Sequence, residues 1–222
     1  MTPPQYTAGA GADVRGLGVV LDGGRVPMHR RMTRAAAVTF SALVAPPVAI
    51  AVAMGLAATA GGHPHAWALA GFYVLVSIVT PVLVLLGQLR RREVGDIELT
   101  SRTDRFVPQL VMLGSLIAGW VLLELSSAPP RMTLLAAALA IQGAAILLVT
   151  LRWKISVHCA AAAVVGTLLS VLADSPFPAV VVIIAMAWSR LYLHHHTLAQ
   201  TAAGTVLGVA VSVGAWLLSG GV

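Results

Sequence analysis

Charged side chains are scarce in this sequence. Lys and Arg number 14 and Asp and Glu 8 among 222 residues, or 10%, where a soluble domain carries roughly a quarter. That excludes an ordinary water-soluble globule. Cysteine is almost missing: Cys159 stands alone, which rules out an intrachain disulfide and a Cys-rich metal site. It falls in an Ala-rich apolar run and reads as a small core residue. Carboxylates are few, and none is matched to a histidine on a common helix, so the sequence offers no metal cage. No apolar core follows Met1 closely, so the start of the chain does not read as an ordinary signal peptide.

What fills the chain instead is hydrocarbon. Hydrophobic residues make up 58%, and the mean hydropathy is +0.89. This is the composition of an integral membrane protein, and the length suits one domain. Residues 1–33, rich in Gly, Pro and Arg, read as a flexible cytosolic tail. Over 34–222, seven apolar segments run approximately 35–60, 66–89, 108–126, 132–151, 155–173, 177–193 and 197–219. Most approach the ~20 residues that span a bilayer as a helix, and helices satisfy their own backbone polar groups in lipid. The expected fold is an all-α polytopic transmembrane bundle of six to seven spans, with 177–193 the shortest. Pro46-Pro47 and Pro81 are expected to kink the first two segments. Turn signals at 61–65, 128–130 and 174–176 separate neighbours.

The formal net charge is +6. Nucleic acid is one partner for a basic protein, but these cations sit between apolar segments. Seven spans place 13 of the 14 Lys and Arg on one face and only Arg131 on the other. With four suspected site residues set aside, the bias is still nine to one. Positive loops stay in the cytoplasm, so that face is expected to be cytoplasmic, in a plasma or inner membrane. Arg90-Arg91-Arg92 reads as an anchor of the second segment that attracts anionic lipid.

Three polar clusters share the basic face: Arg102-Thr103-Asp104-Arg105, Lys154-Ile155-Ser156-Val157-His158, and Ser189-Arg190 with His196 and Gln200. Cations gathered with two imidazoles suit a phosphate ester. Arg matches phosphate oxygens with a planar fork and Lys adds a point charge. Ser156 brings a hydroxyl, and the start of the fifth segment brings free backbone N–H groups. One histidine is able to attack phosphorus while the other protonates the leaving oxygen. Gln200, four residues after His196, shares its helix face and orients its ring. His194 and His195 have Leu198 and Ala199 at that spacing, which favours His196. Gly204 and Gly208 continue the stripe and let a neighbouring helix approach.

These motifs resemble those of the type 2 phosphatidic acid phosphatase superfamily of membrane lipid phosphatases. That family carries Lys-x6-Arg-Pro, Pro-Ser-Gly-His and Ser-Arg-x5-His-x3-Asp in this order. Here Ser189-Arg190 and His196 match the third motif, with Gln200 where Asp is usual. Ser156 and His158 keep the second without its Pro and Gly. Arg105 fits the first, with Glu98 at the lysine position and Pro108 two residues late. The resemblance, covering residues 96–208, is to a divergent branch. It implies a metal-independent enzyme in which His196 is the nucleophile and His158 the general acid. Arg105, Arg190 and Ser156 would hold the phosphoryl oxygens, with Arg102 and Lys154 in place of the missing lysine. The implied substrate is a lipid phosphate, isoprenoid or glycerolipid, presented by the bilayer.

Two other readings stay open. The same fold would serve a phosphoryl or prenyl transferase or cyclase acting on a prenyl phosphate. Loss of the family's Asp at Gln200 would also suit a weakly active or inactive lipid-phosphate binder, since a comparable loss in a serine protease costs ~10⁴-fold. Arg102, Arg105 and Arg190 each make sense singly as membrane anchors. The sequence leaves the oligomeric state open.

Overall fold

A computed structural model describes residues 28–59, 62–91 and 106–218. The described residues form helices and turns with no strand. In chain order the helices are α1 (Met28–Leu43), α2 (Pro46–Thr59), α3 (Ala66–Val74), α4 (Thr80–Arg90), α5 (Phe106–Leu125), α6 (Pro130–Thr150), α7 (Val157–Leu172), α8 (Phe177–Tyr192) and α9 (Leu198–Leu218). A π-helical turn, Leu75–Val79, joins α3 to α4.

Every expected apolar segment is helical, but the lengths are uneven. Four pieces are long and apolar enough to cross a bilayer: Ala66–Arg90, α5, α6 and α9. The pair α1 and α2 makes a fifth if it counts as one bent span. Its 51° bend lies where Pro46-Pro47 opens α2, because neither proline can donate into a continuing helix. Helix α1 begins at Met28, so it takes in residues 28–33, which the composition had left to the flexible tail. Helices α7 and α8 have 16 residues each, about 24 Å at 1.5 Å per residue.

Pro81 leaves Ala66–Arg90 continuous. It lacks the N–H that the Ser77 carbonyl needs, and the π turn over Leu75–Val79 takes up the misfit one turn earlier.

Helix α7 is the axis of the fold. Cys159 to Gly166 are all buried, and a helix apolar on every side belongs inside. It packs against α8, α9 and α2, while α5 and α6 form a second layer joined through α2, α3 and α9. Small residues let the neighbours approach. A Cβ on Gly204 would meet the Ser156 carbonyl oxygen, and one on Gly208 the Ala160 carbonyl oxygen. Outward faces carry Leu83, Ile141, Leu148, Ile184 and Val206, all exposed. Even in α6, the most enclosed of the long pieces, 44% of the apolar window is buried within the chain. Such a surface needs a bilayer around it.

Candidate functional site

The start of α7, the end of α8 and the start of α9 meet at one end of the bundle. Ser156 caps α7: its Oγ accepts from the Cys159 N–H at 3.3 Å. Its own N–H donates to the Gln200 carbonyl oxygen at 3.2 Å, which ties the second polar cluster to the third. Gly204 permits that approach.

Helix α8 closes in a tight turn that aims the histidines. The His194 N–H donates to the Leu191 carbonyl and the His195 N–H to the Arg190 carbonyl. His194 takes a left-handed conformation at φ 54°. This is a Schellman closure with histidine where glycine is usual. The reversal leaves His194 exposed and turns His196 inward, where only 7% of it is accessible.

His196 Nδ1 lies 3.2 Å from Gln200 Oε1. The same oxygen receives the Thr197 backbone N–H at 3.2 Å, and Thr197 Oγ1 faces the Gln200 N–H at 3.4 Å. Thr197 and Gln200 thus form a reciprocal capping box at the start of α9. The backbone donor fixes which amide atom is oxygen. Gln200 Oε1 being an acceptor, Nδ1 must carry the hydrogen. Nε2 of the neutral ring then holds the lone pair.

Arg190 is the largest fully buried side chain among the described residues, 1% exposed. Its Nη1 donates to Ser41 Oγ at 2.8 Å, and Ser189 Oγ donates to the Ala37 carbonyl at 2.7 Å. Helix α1 is therefore latched onto the end of α8. The charge of Arg190 is felt at Cys159, in the first turn of α7. Two helix N-termini and a buried cation together make a local field that favours an anion.

Comparison with protein-family models, with characterised proteins and with solved structures finds no match. The site therefore stands on its own geometry.

The Ser156 N–H to Gln200 carbonyl bond and the His196–Gln200 contact bring Ser156, His196 and Gln200 together, and Arg190 lies in the last turn of α8 that leads to them. His158, second residue of α7, and Lys154, in the turn before it, lie at the same end and are half-buried. Arg102 and Arg105 fall outside the described residues. Ser156 differs from expectation in one respect: it is fully buried and its oxygen is engaged as the cap of α7. The capping box was legible as Thr-x-x-Gln at 197–200. The latch through Ala37 and Ser41 was not, since serine and alanine in α1 carry no signal of their distant partners. Among the described residues, no group of three His, Cys, Asp or Glu gathers to hold a metal.

Proposed function

We propose that this protein is a membrane-embedded, metal-independent lipid phosphate phosphatase, a divergent member of the type 2 phosphatidic acid phosphatase superfamily. The observation that carries the reading is the His196 ring, held at Nδ1 by Gln200 Oε1 at 3.2 Å where α7 and α9 begin, so that in the neutral ring the lone pair falls on Nε2. A nucleophile for phosphorus needs that lone pair, and the surrounding field stabilises the charge on the phosphoryl oxygens.

In this reading Nε2 of His196 attacks phosphorus, and the bond from phosphorus to the lipid oxygen breaks. His158 gives its proton to the leaving alcohol. Water then cleaves the phosphorus–nitrogen bond and returns the enzyme. Arg190, Lys154, Arg102 and Arg105 hold the phosphoryl oxygens. Ser156 adds one hydroxyl donor, and Gln200 keeps the ring in register. The short helices α7 and α8 count as spans that complete a six- to seven-span bundle, with the site on the cytoplasmic side.

Phosphate release from phosphatidic acid, a prenyl monophosphate and a prenyl diphosphate, measured in detergent with chelator present, tests this. The expected result is release from at least one substrate, lost in His196→Ala. Release that survives in His196→Ala removes the nucleophile from the scheme. Gln200 also favours a second reading, a slow or non-turning binder, because an amide orients an imidazole without stabilising the imidazolium. Binding of the same lipids without release distinguishes it.

A further inference from the structure

A second site lies on another face of α7. A cavity of about 80 Å³ is lined by the N-terminal turns of α2, the N-terminal halves of α5 and α7 and the C-terminal half of α6. Ile50, Met112, Leu116 and Val164 give it apolar walls. Two amides interrupt them. Gln142 of α6 is 6% exposed, and Gln109 sits in the first turn of α5. Both line the cavity, and neither Oε1 finds a hydrogen-bond partner among the described residues.

An amide at membrane depth is costly unless something answers it, and a buried acceptor left unpaired forfeits its full desolvation energy. Gln142 lies eight residues before the end of α6, about 12 Å along the axis. Here the chain carries two orphaned acceptors in a place where hydrocarbon would have been cheaper. Among the described residues no charged side chain lines the cavity, so none of them pairs there with an ionic head. An engineered apolar cavity of about 150 Å³ holds benzene; this one has room for a hydroxyl and the first few carbons of a chain.

We infer that this cavity binds the hydroxyl end of a neutral lipid alcohol, with Gln142 and Gln109 accepting from the hydroxyl. The inference does not rest on the phosphatase reading, although a lipid alcohol is what such an enzyme would release. The alcohol's O–H is a donor to a carbonyl oxygen, and its apolar chain matches the walls. A phosphate or carboxylate would bring further acceptors to acceptors.

The full chain in lipid nanodiscs is photolabelled with dodecanol bearing a mid-chain diazirine. Saturable labelling of α5 and α6 is expected, displaced by unlabelled dodecanol and not by dodecane. Gln142→Leu keeps the volume and should weaken dodecanol binding about tenfold, the factor of one hydrogen bond. Farnesol and 1,2-dioleoylglycerol as competitors then separate a prenyl from a glycerolipid source. Equal displacement by dodecane, or unchanged binding in Gln142→Leu, overturns the assignment. Should Gln142→Leu fail to fold, Gln109→Leu and the alcohol-against-alkane comparison on the native chain decide it. Phosphate release is not read at any step, so failure here leaves the phosphatase assays untouched.

Discussion

Gln200 does two jobs with one oxygen. It caps α9 through the Thr197 N–H and holds His196 through Nδ1. Substitutions separate the jobs. Gln200→Glu keeps the capping-box pattern and places a carboxylate against the imidazole, near a helix N-terminus that favours negative charge. Faster phosphate release is expected, read as kcat on the best substrate. Gln200→Leu loses the cap and the ring's partner together. It should cost about 1 kcal/mol of stability and about a hundredfold in turnover, measured by thermal unfolding and steady-state kinetics. His194 offers a control of opposite sign. Its left-handed φ of 54° suits glycine, so His194→Gly should raise the unfolding temperature and leave turnover unchanged. Which of three adjacent histidines faces Gln200 was legible from the spacing of four. Why the other two fall aside required the backbone closure of α8.

Helix pairs show where small residues are obligatory. The α7–α9 contact brings Gly204 and Gly208 against backbone carbonyls of Ser156 and Ala160, while Gly214 of the same helix has nothing within 4 Å of a built Cβ. Gly204→Ala and Gly208→Ala should each cost about 1–3 kcal/mol through overpacking, because a backbone carbonyl gives way less easily than a side chain. Gly214→Ala should be silent, and thermal unfolding in detergent compares the three. Gly204→Ala should also lower turnover, since it pushes apart the elements that carry Ser156 and Gln200. The latch between α1 and α8 makes a further case. Ser41→Ala removes an acceptor from the buried Arg190 guanidinium, and hydrogen bonds to charged groups are worth about 1.5–3 kcal/mol. The glycine stripe was readable from its spacing of four. The latch joins residues about 150 positions apart, which no local pattern encodes.

At the scale of the whole molecule, the seven-span reading turns on the two short helices, α7 and α8. Seven spans put Trp153 and Ser175 on opposite sides of the membrane. In a background lacking the buried Cys159, a cysteine at Trp153 should label with an impermeant maleimide only from the cytosolic side, and one at Ser175 only from outside. Labelling of both from one side would show that α7 does not cross. The sequence by itself determined the helical membrane class and the positions of nearly all the turns among the described residues. Each follows from local rules: apolar run length, the missing N–H of proline, and the cost of charge in hydrocarbon. Tertiary structure alone decided the burial of α7 on every side, the latch on Arg190, the engagement of the Ser156 hydroxyl as a cap and the amide-lined cavity. These depend on which faces of distant helices meet, and that is set by packing summed over the whole bundle rather than by any stretch of chain.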